Sequence, residues 1–356
     1  MRTGTANLPL HWGKAPRWLF QRMVKLAREI TIVIVSEQGA SGVLEKLSDP
    51  FWFQCFGCIL GFDWHSSGVT TTVCGALKEA VKGLENELGL WVAGGKGGTS
   101  RKTPSEIEQV GEELSVDLQP LIYASKMSAK VDNNALQDGY QLYHHNFIFT
   151  RDGAWCVVQQ GMNDATRYAR RYHWLGASVK DYVCEPHAAI CCDHKNRHRN
   201  LVAKASEANR ELSAQISHEK PEKLVREIKK IQRLSLPDRH PILTRDINPD
   251  RLEKIFLKTY EQMPANFEQL LGMQGVGPQT IRALSLIAEL VYGAKPGFND
   301  PARFSFAHGG KDGYPYPVNR ATYDHSIEFL RKAIATAKIG HSDKMGALKR
   351  LSQFEN

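Results

Sequence analysis

The run Leu270-Leu-Gly-Met-Gln-Gly-Val-Gly-Pro-Gln-Thr280 constrains the fold more than any other part of the chain. It lies between a short helix predicted to begin near Asn266 and a longer helix predicted over 278–292. Two glycines permit a tight turn, and Pro278 suits the first turn of a helix, where no N–H is needed. The pattern predicts two helices joined by a hairpin whose unpaired N–H groups face outward.

This pattern resembles the helix-hairpin-helix motif of DNA repair and recombination proteins. The match is residue for residue at Gly275, Val276 and Gly277. Outward-facing backbone N–H groups bind a phosphate oxygen without reading the bases. We therefore expect DNA contacts at these three positions and at Gln279 and Thr280, the alternative being an ordinary tight connection between helices.

Composition and charge narrow the class of protein. The chain has 356 residues, which favours two domains, and a net charge of +8, which favours nucleic acid as a partner over a merely basic enzyme. No apolar run is long enough to span a bilayer, and no signal-peptide pattern is seen. The seven cysteines are an odd number and suit reduced thiols. We expect a cytoplasmic protein without a membrane partner.

The spacing of Cys184, Cys191 and Cys192 matches no usual zinc pattern, so structural zinc is the weaker interpretation.

Three regions differ in composition. Residues 1–200 interleave apolar strands with helices, residues 201–245 are highly charged and predicted to form a solvated connecting helix, and residues 246–356 are nearly all helical. The sequence thus predicts an α/β or α+β N-terminal domain with a mixed sheet, followed by an all-α helix-hairpin-helix domain.

Within the first region, apolar runs predict strands at 30–35 and 58–62, and a helix at 70–82. Two further β-prone runs, 147–150 and 155–159, flank Asp152-Gly153. Because Asp-Gly between such runs is a strong turn signal, they predict a β-hairpin.

Acidic groups suited to phosphodiester cleavage occur at three places. Asp63 follows a predicted strand, Asp132 follows a lysine-rich stretch, and Glu185 begins Glu-Pro-His187. Carboxylates are the ligands that hard divalent cations prefer. We expect these three acids to share Mg²⁺ or Mn²⁺, while a capping role in a turn is the alternative for Asp63.

The same places supply groups that could assist catalysis. His65 or His187 is expected to act as a ligand or general base. Lys126 or Lys130 is expected to hold the scissile phosphate, the alternative being a surface helix with alternating charge.

Further basic residues are expected to contact DNA. Arg170 and Arg171 lie in Ala169-Arg-Arg-Tyr-His-Trp174, where basic and aromatic residues together suit phosphate contact and base stacking, although a basic helix edge is the rival interpretation. Lys96 lies in a glycine-rich loop that lacks the ending of a Walker loop and is expected to reach a phosphate.

Long strings of the chain are similar to the prokaryotic family catalogued as domain of unknown function 763. They are Gly61-Phe-Asp-Trp-His-Ser-Ser-Gly68, Ala129-Lys-Val-Asp132, Gln137-Asp-Gly-Tyr140, Val157-Val-Gln-Gln-Gly-Met-Asn163, Ala169-Arg-Arg-Tyr-His-Trp174 and Glu185-Pro-His187. The resemblance covers nearly the whole chain. It implies an unusual N-terminal domain, a helix-hairpin-helix domain and DNA nuclease activity on single-stranded or locally melted DNA.

Three functions follow as hypotheses. The first is a metal-dependent DNA endonuclease acting on single-stranded or locally unpaired DNA in repair or recombination. The second is a helix-hairpin-helix DNA glycosylase, in which Gln279 stands where some such enzymes place a lysine, and Asp300, Asp312 and Asp324 are the possible acids. The third is a non-enzymatic protein that binds DNA structures. The oligomeric state stays open, with a homodimer among the candidates.

Overall fold

The computed structural model describes residues 15–62, 67–111, 116–192, 197–234, 247–302 and 320–352. Its helices are α1 (Arg17–Ser48), α2 (Pro50–Leu60), α3 (Gly68–Val81), α4 (Glu85–Leu88), α5 (Thr103–Gln109), α6 (Gln119–Lys130), α7 (Glu207–Ile216), α8 (Pro221–Ile231), α9 (Pro249–Gln262), α10 (Phe267–Gly272), α11 (Pro278–Leu290), α12 (Arg320–Thr336) and α13 (His341–Ser352). Its strands are β1 (Leu90–Lys96), β2 (Leu136–Gln137), β3 (Gln141–Thr150), β4 (Trp155–Asn163), β5 (Tyr168–Leu175), β6 (Ala189–Cys191) and β7 (Arg199–Asn200).

Five of these strands form one sheet in the order β1-β3-β4-β5-β6, and every pair is antiparallel. β2 and β7 form a separate antiparallel pair. Of the two predicted classes the fold is therefore α+β, and the prediction of a mixed sheet is wrong. The reason is connectivity, since short turns join β3 to β4 and β4 to β5, and such turns impose antiparallel pairing.

The hairpin predicted around Asp152-Gly153 is confirmed. Phe149 on β3 lies opposite Trp155 on β4, and Gly153 has a φ of 84°. That left-handed conformation is readily adopted by glycine, which explains why the turn forms there.

The two strands predicted earlier in the chain are helical. Residues 30–35 lie within α1, where Ile30 and Ile34 are buried and Ile32 is exposed. Residues 58–60 end α2, which Asp49 begins by accepting from the N–H groups of Phe51 (2.8 Å) and Trp52 (3.0 Å). A short apolar run cannot distinguish a strand from a buried helix by periodicity alone. The predicted helix at 70–82 is confirmed as α3.

The sheet separates two hydrophobic clusters because successive side chains of a strand point to opposite faces. On one face, Phe147 and Val157 pack with α6, α10 and α11. On the other face, Ile148 and Val158 pack with α1, α2 and α3. Both faces of the central strands are therefore buried.

The charged segment after residue 200 is helical as predicted, but its apolar stripe is not solvated. Leu224, Ile228 and Ile231 on α8 are buried in the same cluster as α9 and α11. Leu330 and Ile334 on α12 instead pack with α1 on the other face of the sheet. Domain boundaries at 200 and 245 stay a prediction.

No helix in the described part of the chain combines the length and apolar character of a membrane span.

Candidate functional site

The two helices joined by the glycine hairpin form where the sequence predicts them, but the N–H of Val276 is paired, since it donates to the carbonyl oxygen of Met273 at 3.3 Å. Asn266 begins α10 by accepting from the N–H of Gln269 at 2.9 Å, and α11 begins at Pro278. Gly275 has a φ of 94°, which favours glycine. Val276 is buried under the turn and fixes it in place.

The solvent side of the hairpin differs from its packed side. Gly275 and Gln279 are exposed and Gly277 is partly exposed, whereas the side chains of Val276 and Thr280 are buried. The side chains of Val276 and Thr280 therefore support the turn and do not face a ligand.

Two lysines lie near the hairpin. A Cβ built on Gly275 would come within 2.9 Å of Ile255 Cδ1, so α9 lies directly beside the turn. Lys254 and Lys258 flank this isoleucine on α9 and are exposed. Two ammonium groups thus lie on the helix that contacts the hairpin.

Lys130 has a structural role, contrary to the prediction that it holds a scissile phosphate. Its Nζ donates to the carbonyl oxygens of Leu271 (2.8 Å), Gly272 (3.0 Å) and Met273 (2.6 Å) at the end of α10. A helix end leaves its last carbonyls without helical partners, and Lys130 supplies a donor there; the oxygen of Met273 also accepts from the N–H of Val276 at 3.3 Å. Burial lowers the pKa of this lysine. Lys126, one turn earlier on α6, is exposed and stays a candidate phosphate contact.

Asp132 and His187, predicted separately as catalytic residues, meet in the structure. Asp132 is fully buried in a π-helical turn (Val131–Ala135) that directly follows α6. Its Oδ1 is hydrogen-bonded to Nε2 of His187, whose side chain is 6% exposed. We call these two residues the acid–histidine pair. If Nε2 donates to the carboxylate, the lone pair of the ring lies on Nδ1.

The other oxygen of Asp132 is held by two residues that the sequence analysis did not select. Gln159 Nε2 and Trp174 Nε1 both donate to Oδ2, the latter at 3.0 Å. The Trp174 ring also packs edge-on against His187 at 4.6 Å between centroids. Both residues occur in the strings that carry the family resemblance, so those strings contained the signal.

A hydrogen-bonded chain leads from Gln159 towards α6. Gln159 Oε1 lies 2.7 Å from Nδ1 of His145, whose Nε2 lies 3.0 Å from the Ser125 hydroxyl. Burial lowers the pKa of His145, while the bond to Gln159 and the charge of Asp132 oppose this shift. The acid–histidine pair is therefore one end of a continuous buried polar network.

His187 also lines a surface cavity of about 450 Å³, so it connects the buried network to the surface. Its lining combines acidic, basic and amide side chains with small apolar ones, and includes Glu185, His187, Asn200, Lys204, Asn299 and Asp300. A ligand in this cavity could contact the histidine without reaching the buried carboxylate.

The predicted carboxylate metal site is not assembled among the described residues. Both oxygens of Asp132 already accept hydrogen bonds from protein groups. Glu185 is exposed, has a φ of 49° and accepts from the N–H of Lys204 at 3.3 Å. No three His, Cys, Asp or Glu side chains converge as metal ligands within the described ranges. Asp63 and His65 lie outside those ranges, so a shared Mg²⁺ or Mn²⁺ at Asp63, Asp132 and Glu185 stays a prediction.

Arg170 and Arg171 are buried, and the prediction that they contact DNA is wrong. Arg170 is 1% exposed and pairs with Asp138 at 2.9 Å and Asp300 at 2.6 Å. The two carboxylates raise its pKa against the effect of burial. The guanidinium thus connects β5 to the segment that follows α11.

Arg171 points to the other face of the sheet and is fully buried. It donates to Nε2 of His173 at 2.9 Å and to Oε1 of Gln54 at 3.1 Å, and it stacks over Phe53 at 4.6 Å from the ring centroid. Sequence reasoning missed this burial because a basic run on a central strand has the same composition as one at an edge.

The remaining predicted residues are distributed as follows. Lys96 ends β1 and is exposed, with its Nζ 5.7 Å from the centroid of the Tyr143 ring. Cys191 and Cys192 are buried free thiols and Cys184 is a partly buried one. Burial raises the pKa of Cys191 to about 12, which opposes the thiolate that zinc requires.

The fold and site define an α+β protein that carries a buried acid–histidine pair beside two helices joined by a glycine hairpin. A family model described as "Protein of unknown function (DUF763)" matches residues 4–318, and the chain belongs to this family. No curated protein and no solved structure matches the chain.

Proposed function

We propose that the protein is a hydrolase that cuts the DNA backbone at single-stranded or locally unpaired sites. His187 acts as the general base at the cavity, Asp132 orients it, and the hairpin at 273–277 holds the DNA backbone. The observation that carries the proposal is the hydrogen bond between Asp132 and His187 at the wall of a polar cavity.

The acid–histidine pair has the arrangement that proton abstraction requires. A carboxylate that accepts from one ring nitrogen fixes the tautomer and stabilises the imidazolium that forms when the other nitrogen takes a proton. His187 would take that proton from a water molecule as the water oxygen bonds to phosphorus. The P–O bond to the departing nucleotide then breaks, and the departing oxygen takes a proton from solvent. Gln159 and Trp174 keep the carboxylate of Asp132 from rotating, because both donate to Oδ2.

Contacts between elements support a link between DNA binding and this pair. Lys130 holds the end of α10, and the turn that contains Asp132 begins at the next residue. Gln137 donates to the carbonyl of Pro278 at 3.0 Å, which attaches the start of α11 to the same segment. A DNA backbone held by the hairpin is thereby positioned relative to the general base.

Cleavage assays on single-stranded, duplex and bubble DNA test the proposal. We expect His187→Gln to slow cleavage by roughly 10²–10⁴-fold, the usual contribution of a general base. Asp132→Asn should have a similar effect with little change in DNA affinity. His341→Gln, at an exposed histidine, is the matched control. Arms with EDTA, Mg²⁺ and Mn²⁺ test the cation requirement that the sequence predicts.

Wild-type cleavage rates in a folded His187→Gln variant would contradict the assigned general base. Tight, salt-sensitive DNA binding with no product under any cation would instead favour the non-enzymatic function.

One observation supports the glycosylase alternative. Asp300, one of the acids considered from sequence, lines the same cavity as His187. A flipped base in that cavity would have both side chains in its surroundings. Release of a free base without strand cleavage, lost in Asp300→Asn, would establish this function in place of the nuclease.

A further inference from the structure

A row of polar side chains crosses the sheet on the face opposite to the acid–histidine pair. Lys96 on β1 lies opposite His144 on β3, His144 lies opposite Gln160 on β4, and Gln160 lies opposite Arg171 on β5. Directly opposed residues of antiparallel strands place their side chains on the same face. The row therefore runs from an exposed ammonium to a buried guanidinium.

Gln160 fixes the row against the first turn of α3. Its Nε2 donates to the carbonyl oxygen of Ser67 at 2.9 Å and to the hydroxyl oxygen of Tyr143. Its Oε1 accepts from the hydroxyl of Thr70. The Tyr143 oxygen accepts this hydrogen bond from Gln160, so the hydroxyl hydrogen can still be donated. No described residue accepts that hydrogen.

His144 is a buried side chain whose polar atoms are unsatisfied. It is 1% exposed, and neither ring nitrogen has a hydrogen-bond partner among the described residues. An unsatisfied buried donor costs about 1–3 kcal/mol. Burial, together with His145 and Lys96, lowers its pKa to about 3, so the ring is neutral at pH 7 and carries one N–H.

We propose that Lys96, Tyr143 and His144 form an anion site that takes a phosphate group. Lys96 and His144 are directly opposed on β1 and β3, the Lys96 Nζ lies 5.7 Å from the centroid of the Tyr143 ring, and none of the three donors has an acceptor in the described part of the chain. Gln160 connects Tyr143 to Ser67, which directly precedes α3, and the dipole at that end of the helix favours an anion. A phosphate has enough acceptor oxygens for all three donors, and it would satisfy the ring nitrogen that the protein leaves unpaired.

The backbone next to Lys96 is open on its solvent side. A Cβ built on Gly97 or on Gly98 would meet no atom within 4 Å. The phosphate belongs either to a DNA strand or to a mononucleotide. The site lies on the face of the sheet opposite to the acid–histidine pair, so phosphate binding here does not depend on the hydrolytic reaction.

NMR of the histidine rings in the full chain tests the proposal, with inorganic phosphate as the probe. We expect a saturable shift of the His144 resonances, assigned with His144→Gln. Lys96→Ala should weaken phosphate binding by about tenfold or more, since a hydrogen bond to a charged group is lost. Lys102→Ala, at an exposed lysine of the same loop, is the matched control and should bind as wild type.

A second variant separates binding from folding. Tyr143→Phe removes only the hydroxyl and should weaken phosphate binding several-fold without loss of secondary structure. Absence of any phosphate-dependent shift at His144, or equal affinity in wild type and a folded Lys96→Ala, overturns the proposal.

Competition identifies the source of the phosphate. A single-stranded oligonucleotide without terminal phosphates that displaces inorganic phosphate more effectively than dTMP assigns the site to the DNA backbone. The reverse order assigns it to a mononucleotide. Phosphate binding that persists while no DNA is cut would refute only the hydrolase, so the two proposals fail independently.

Discussion

The carboxylate of Asp132 is hydrogen-bonded to the ring of His187, which lies 55 residues further along the chain. Asp132 follows α6 on the face of the sheet that packs with α6, α10 and α11, and His187 belongs to the loop between β5 and β6. Neither segment can move without disturbing the other, because the carboxylate is also held by Trp174 of β5. The fold therefore fixes the relative position of Asp132 and His187.

The first prediction concerns Arg170. Replacing it with methionine leaves Asp138 and Asp300 buried without their cation, so Arg170→Met should lower the free energy of unfolding by about 3–5 kcal/mol. Urea denaturation measures this change. Arg101→Met, at an exposed arginine, should be neutral. A stable Arg170→Met variant with weakened DNA affinity would restore the role in DNA binding that the structure rejects.

The second prediction concerns Lys130. Its loss leaves the carbonyl oxygens of Leu271 and Gly272 without a donor, while that of Met273 keeps the N–H of Val276, so Lys130→Met should destabilise the protein by about 1–3 kcal/mol. Thermal denaturation followed by circular dichroism provides the measurement. The control is Lys126→Met, one turn earlier and exposed. Equal melting temperatures for the two variants would show that the carbonyl contacts contribute nothing.

The third prediction compares two glycines of the hairpin. Gly275 has a φ of 94° and a Cβ there would lie 2.9 Å from Ile255 Cδ1, so Gly275→Ala should destabilise the protein by about 1–3 kcal/mol. A Cβ on Gly277 meets nothing within 4 Å, so Gly277→Ala should keep wild-type stability.

DNA affinity then distinguishes the role of the hairpin. Gly277→Ala should weaken binding to single-stranded DNA, because a methyl group obstructs the backbone approach to phosphate. Fluorescence anisotropy at fixed salt measures this effect. Unchanged affinity in Gly277→Ala would remove the hairpin from the binding surface.

The fourth prediction concerns acid stability. Burial lowers the pKa of His144 to about 3 and lowers those of His145 and His173 from 6.5. In the unfolded chain these rings bind protons more readily, so stability is fully present above pH 6.5 and falls as the pH drops towards 3. Each histidine contributes up to about 1.4 kcal/mol per pH unit in this window.

Urea midpoints between about pH 7 and about pH 5 measure this slope. His144→Gln should reduce it, whereas His341→Gln, at an exposed position, should not. Midpoints that do not change with pH would refute the assignment of neutral buried histidines.

Local signals predicted local structure well. The Asp152-Gly153 turn and the glycines near Pro278 place their elements correctly, because turn chemistry acts over a few residues. Asp132 and His187 were each selected for their chemistry. Their contact could not be foreseen, since it depends on how β5 and the loop after it cross α6.

Burial was the main source of error. A run such as 30–35 is apolar in either a strand or a helix, and its surroundings decide between them. The basic residues of β5 presented the opposite difficulty, since charge suggests exposure. Sequence alone does not show that α2 packs on one face of β5, or that Asp138 and Asp300 pair with Arg170 on the other face.

The alternation of Arg170 and Arg171 also sets the alignment of β5. A slip of one residue along β4 would exchange the two side chains between faces. Arg170 would then leave Asp138 and Asp300 behind as two buried anions, and Arg171 would lose Gln54 and the ring of Phe53. A misaligned sheet is therefore destabilised by unpaired buried charges as well as by poor packing. The two adjacent arginines thus select a single register of β5 against β4.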